Sequence, residues 1–152
     1  MLIRAVQAED LQAVSELCMR SFMTTVAPSL SAEGVASFTQ IAATTSLAER
    51  LQDDNLMLLA AHEGCPFGYI ELKQGQHLAM LFVEPSQQRQ GIGRQLLQAA
   101  LAHVRADTLT VKASLTSVNA YEHYGFVCTG EVGQSAGLVF QPMLLTGLTP
   151  PA

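Results

Sequence analysis

LAMLFVEPSQQRQGIGRQLLQAALAHV, residues 78 to 104, decides the fold. The apolar run Leu78 to Val83 has the length and composition of a buried strand, and it stops at Glu84-Pro85. A polar loop of Ser86, Gln87, Gln88, Arg89 and Gln90 follows. Gly91-Ile92-Gly93 then opens a segment whose Leu96, Leu97, Ala100, Leu101 and Val104 share one helical face. Strand, loop and helix N-terminus in that order are suited to hold an anion. The first helical N–H groups have no intrahelical acceptor, and the helix dipole adds partial positive charge there. Gly91 and Gly93 carry no side chain to block a phosphate, and Arg89 and Arg94 bring full charges to either side.

The spacing argues against two common phosphate binders. A dinucleotide fingerprint needs a third glycine where Leu96 stands, and a P-loop needs a Gly-Lys-Ser/Thr run that this chain lacks. What remains is Gln-x-x-Gly-x-Gly, at Gln88, Gly91 and Gly93, after a strand ending in Val-Glu-Pro. Without the flanking strand and helix, the same residues would read as an ordinary glycine-containing turn.

Composition narrows the class. At 152 residues the chain reads as one domain with a sizeable core, and 49% hydrophobic against 14% charged residues argues against disorder. No apolar run approaches the roughly 20 residues of a membrane helix. Met1 leads straight into a strand-like run, so no signal peptide is expected. Cys18, Cys65 and Cys128 are odd in number and far apart, without metal or disulfide spacing. A reducing cytoplasm and no metal are therefore expected. A net charge of −5 with two lysines disfavours a nucleic-acid partner, and would not repel a cationic amine.

Along the rest of the chain, Leu2 to Val6 reads as a strand and about Glu9 to Phe22 as a helix with Leu11, Val14, Leu17, Cys18 and Phe22 inward. Ser31 caps a second helix carrying Val35, Phe38 and Ile41, and Ser46 to Glu49 has the form of a capping box before a third that ends near Gln52. Leu56 to His62, Phe67 to Lys73 and Leu78 to Val83 are strands joined by turns short enough for antiparallel hairpins. Leu109 to Ala113 is a strand, Ser117 to Tyr124 a helix ended by Gly125, and Phe126 to Glu131 and Leu138 to Leu145 closing strands. Residues 1–145 thus form one domain, and 146–152 a frayed tail. An antiparallel half joined to a half with one helical crossover predicts an α/β mixed sheet, helices on both faces, and a cleft where the crossover strands diverge.

The loop from Gln88 closely resembles the coenzyme-A pyrophosphate loop of the GNAT superfamily of N-acetyltransferases, Gln/Arg-x-x-Gly-x-Gly/Ala. Tyr121-Glu122-His123-Tyr124-Gly125-Phe126 looks like the family's Tyr-Glu-x-x-Gly-Phe segment. Ala113-Ser114-x-x-Ser117-Val118, and Gly137-x-x-Phe140-x-Pro142-Met143, resemble forms found in a group of small bacterial members. The resemblance runs from the first strand to about Leu145. It implies a GNAT-like fold, mostly antiparallel with one splayed parallel pair. It implies transfer of an acetyl group from acetyl-coenzyme A, as co-substrate, to an amine by direct attack in a ternary complex. It assigns the pantetheine arm to backbone groups of Leu81, Phe82 and Val83. The pyrophosphate falls to Gln88, Arg89, Gln90, Gly91, Ile92, Gly93 and Arg94, and the role of general acid to Tyr121. A homodimer is a further implication. The chain departs from the family at Arg89, where glycine is frequent; at Ser114, where asparagine is common and which with Ser117 would keep a polar contact; and at Tyr124, where leucine is usual.

Acyl transfer itself requires an acceptor for the amine proton, a donor to the carbonyl oxygen and an acid for the leaving thiolate. Glu71, in the alternating strand with Tyr69 and Phe67 expected on the same face, is either a base with raised pKa or a solvent-facing residue. His77 is a rival base, and Glu84 a local structural residue at the loop mouth. Tyr124 reads as structural and Cys128 as a small buried residue. His62, His103 and His123 read as surface or partly packed positions. Phe22, Met23, Phe38 and Tyr69 are core, or walls of an acceptor pocket. The acceptor stays open among polyamine-like amines, amino acids, aminoglycoside-like compounds and protein amines, a small molecule being favoured. A reading from another class is a non-catalytic acyl-coenzyme-A-binding sensor or regulatory module.

Overall fold

The computed structural model describes residues 1–150. The sheet contains β1 (Leu2–Ala5), β2 (Asn55–His62), β3 (Cys65–Lys73), β4 (His77–Val83), β5 (Leu109–Ala113), β6 (Val127–Cys128), β7 (Gly133–Ser135) and β8 (Leu138–Leu145). Its strand order is β1-β2-β3-β4-β5-β8-β6, with β7 paired to β8. The helices are α1 (Leu11–Thr25), α2 (Ala32–Ile41), α3 (Thr44–Leu51), α4 (Ile92–Leu101) and α5 (Val118–His123). The tail expected from 146 to 152 has no helix or strand through residue 150, and residues 151 and 152 lie outside the described residues.

Two apolar cores follow from the alternation of strand side chains. On one face, Leu17, Phe22, Phe38 and Leu47 from α1–α3 pack on Met57, Leu59, Tyr69 and Met80. On the other, Ile92, Leu96 and Leu97 of α4 and Tyr121 of α5 pack on Ile70, Leu72, Leu78, Val111 and Met143. α4 sits close because Gly68 of β3 has no side chain: a Cβ there would stand 2.8 Å from a Leu96 methyl. That contact fixes the helix that follows the glycine loop.

Among the described residues, all strand pairs are antiparallel except β4–β5. This parallel pair is short, His77 with Thr110 and Leu78 with Val111. Register with β3 slips at the next residue, Ala79, so that Glu71 faces Met80 while Leu72 faces Leu78. A bulge bends and twists its strand. It falls where pairing with β5 ends, and beyond it the two strands splay.

Several expectations need correction. A second bulge leaves Phe67 unpaired between Pro66 and Gly68, so Phe67 packs with the α4 core while Tyr69 packs with the α1 core. The capping box at Ser46 does not form: α3 starts earlier, at Thr44, and the Ser46 hydroxyl donates instead to the Gln40 carbonyl at 2.7 Å. The strand expected over Phe126 to Glu131 shrinks to Val127–Cys128, and Cys128 is exposed. Ser31 caps α2 as expected, its Oγ accepting from the Gly34 N–H at 3.3 Å.

Candidate active site

The splay opens a cleft of about 850 Å³ between β4, α4 and α5, with the end of α1 as its far wall. Leu81, Phe82, Val83, Gln88, Arg89, Gly91, Ile92, Gly93, Arg94, Ser117 and Tyr121 all line it, as do Ser21, Thr25, Val26, Gln87, Thr116, Ala120, His123 and Tyr124. Three expected site residues do not: Gln90, which borders a separate depression, Ser114 and Glu71.

The loop is built as a donor array. Gly91 is the N-cap of α4 in the left-handed region, φ 79° and ψ 9°, and nothing lies within 4 Å of where its Cβ would be. The first bond of the helix runs from the Gln95 N–H to the Gly91 carbonyl at 3.0 Å. Every backbone amide from Gln88 through Arg94 lacks an acceptor among the described residues. Arg89 also has a positive φ, 68°, so a side chain there carries backbone strain. The Gln88 side-chain amide donates to the Val83 carbonyl at 3.3 Å and ties the loop to the strand end.

Strand β4 supplies a second set of polar backbone groups. The Glu84 N–H donates to the Phe67 carbonyl of β3 at 2.8 Å. By alternation, the N–H groups of Leu81 and Val83 face the other way, into the gap where β5 is missing. Ser21 stands in the apolar stripe of α1, is 2% exposed, and donates to the Val83 carbonyl at 3.1 Å. A polar residue in register with Val14, Cys18 and Phe22 was the signal that could have marked it. Glu84 is held by Arg20, with guanidinium-to-carboxylate distances of 2.8 and 3.1 Å, so it acts locally at the mouth.

Tyr121 is 7% exposed, and its ring meets Phe126 and Tyr124 edge-on at 5.3 and 6.0 Å. Its hydroxyl bonds to no described residue, while among the described residues no fully buried side-chain N or O atom lacks a partner. The hydroxyl therefore opens onto the cleft. Burial pushes the phenol pKa up, so it stays protonated through neutral and mildly alkaline pH. Ser114 and Ser117 bond to each other at 2.6 Å, which keeps a polar contact after β5.

The structure overturns the expectation for Glu71. It is neither at the cleft nor solvent-facing but 1% exposed in the core beneath α1 and α3. One carboxylate oxygen accepts from Arg50 Nε at 2.7 Å and the other from the Tyr69 hydroxyl at 2.6 Å. Both oxygens are thus taken by partners inside the core. Burial of Tyr69 itself, then the adjoining Glu71 carboxylate, pushes the Tyr69 phenol up. The Arg50→Ala variant should lose about 3 kcal/mol, because a buried carboxylate is left without its cation. Thermal unfolding should then come roughly 6–12 °C earlier; an unchanged midpoint would show the pair to be dispensable.

His77 bonds to Thr110 at 2.7 Å, and burial, then Lys112 and Lys73, lower its pKa. Phe22, Phe38 and Tyr69 are core, Phe22 and Phe38 stacked at 4.0 Å, while Met23 is exposed. The Cys18 thiol is buried and its pKa raised by that burial. Among the described residues no group of His, Cys, Asp and Glu side chains could hold a metal ion.

A bulged β4, a splayed parallel neighbour and a glycine loop of free amides together form one open cleft whose donors suit an anionic ligand. The acetyltransferase (GNAT) domain model matches residues 26–146, and the chain belongs to that family. No curated protein sequence matches it. Among solved structures, a GCN5-related N-acetyltransferase from Rhodopseudomonas palustris has a TM-score of 0.81 at 24% identity, over 95% of this chain and 94% of that one. The PaiA N-acetyltransferase from Thermoplasma acidophilum, solved with coenzyme A, has 0.75 at 22%, over 95% and 98%. The apo form of YjaB from Escherichia coli has 0.74 at 26%, over 97% of both chains. The mixed sheet with its one parallel pair is the GNAT fold.

Proposed function

We propose that residues 1–145 act as a single N-acetyltransferase unit that moves an acetyl group from acetyl-coenzyme A to a primary amine by direct attack. The observation that carries this is the row of free amides from Gln88 through Arg94, at the end of a strand whose own N–H groups face an open cleft. The row suits a diphosphate and the strand edge suits the amides of a pantetheine arm. Coenzyme A bound to the PaiA relative supports the same ligand here.

Acetyl-coenzyme A supplies an activated thioester. The amine nitrogen forms a bond to the acetyl carbon while the carbon–sulfur bond breaks. An inward N–H of β4 is suited to the carbonyl oxygen as it gains charge. Tyr121 gives its proton to the departing thiolate. Among the described residues the cleft is lined by no Asp or Glu, so water carries the two protons the amine loses: one goes to solvent and the other restores the Tyr121 phenol. Phe82, which lines the cleft, is backed by core Phe38 edge-on at 5.4 Å, and Ser37 donates to the Ala136 carbonyl at 2.6 Å, tying α2 to the turn before β8. A small amine rather than a protein chain is the acceptor in this proposal. No described helix is long and apolar enough to cross a membrane; a cytoplasmic setting is part of the proposal.

The test is amine-dependent thiol release from acetyl-coenzyme A with polyamines, amino acids, aminoglycosides and a lysine peptide. Turnover with a small amine supports the reading. Tight coenzyme binding with no release by any amine would contradict it and favour a sensor.

A further inference from the structure

Tyr124 stands where the family resemblance leads one to expect leucine, and its position is specific. A Cβ on Gly93 would lie 2.6 Å from the Tyr124 hydroxyl and 3.7 Å from its Cζ. The hydroxyl thus occupies space directly over the first turn of α4, beside the free amides. The ring is held in place: the Arg94 guanidinium lies over it at 5.3 Å and also donates to the His123 carbonyl at 3.1 Å, while the Tyr121 ring meets it edge-on. The half-buried hydroxyl bonds to no described residue and faces the cleft. Burial raises its pKa against the opposing effect of Arg94, so it remains an O–H donor at neutral pH. A phenol fixed over a helix N-terminus, with its donor unspent, is suited to an anionic oxygen held by that terminus.

Resting on the coenzyme reading above, we propose that Tyr124 is a further ligand-binding residue. Its hydroxyl donates to an oxygen of the coenzyme's diphosphate, and Gly93 must be glycine to make room for it. The two positions are a matched pair. Alanine at 93 forces the phenol aside, whereas with phenylalanine at 124 the nearest ring atom is at ordinary contact distance.

The experiment is calorimetric titration of coenzyme A and of 3′-dephospho-coenzyme A into the native protein, Tyr124→Phe, Gly93→Ala and the double variant. A hydrogen bond to a charged oxygen predicts about tenfold weaker binding for Tyr124→Phe. Because the diphosphate is common to both ligands, the loss should be the same for each. Gly93→Ala should weaken binding strongly in the native background and much less in the Tyr124→Phe background. Native-like binding by Tyr124→Phe, a loss confined to the ligand with a 3′-phosphate, or equal Gly93→Ala effects in both backgrounds would each overturn the pairing. If the native protein binds neither ligand, the coenzyme reading itself fails, and this proposal with it.

Discussion

The Tyr121→Phe variant is expected to lower kcat for amine acetylation by roughly 10²- to 10³-fold, within the range of a lost general acid. The KM for acetyl-coenzyme A should change little. The expected split follows from the surroundings of the side chain. Its ring packs against Phe126 and Tyr124, contacts that phenylalanine preserves, so the cleft keeps its shape. Only the hydroxyl, which bonds to no described residue, is removed. In the native chain the raised pKa keeps this proton in place as the acceptor amine loses its own. The rate should therefore rise with pH toward the amine's pKa without an early alkaline fall. Stopped assays of acetyl product at saturating acetyl-coenzyme A give the comparison. A variant with native kcat would mean that water, not Tyr121, protonates the thiolate.

The Gly91→Glu variant should weaken coenzyme binding by more than about 100-fold, since a like charge placed against a bound anion costs several kcal/mol. Two effects act together. A side chain at φ 79° carries left-handed strain of roughly 1 kcal/mol. The new carboxylate also enters the space left open around Gly91, where it repels a diphosphate and can take the free amides for itself. Gly91→Ala separates the two, because it adds strain without charge, and its loss should stay within about tenfold. Equal losses in the two variants would point to backbone conformation alone.

Much of this was legible in residues 78 to 104, because strand length, glycine spacing and helical period agree there, and because the loop's chemistry is local. What was not legible depends on contacts between distant segments. The bulge at Phe67 shifts one side chain to the other face of the sheet, and no local pattern announces it. Glu71 looked available because alternation cannot show that Arg50, 21 residues earlier, and Tyr69 take both its oxygens. Tyr124 read as structural because its meaning lies in the empty space at Gly93, across the α4–α5 contact. Arg89 runs the other way: its departure from glycine was visible, and the positive φ supplies the reason it matters.

The most direct test of the central claim is calorimetric titration of the native protein with acetyl-coenzyme A. The free amides of the loop and the open edge of β4 predict saturable binding in the micromolar range, lost in Gly91→Glu. No binding by the native chain, or equal binding by the variant, would show that the loop from Gln88 to Arg94 serves some other purpose.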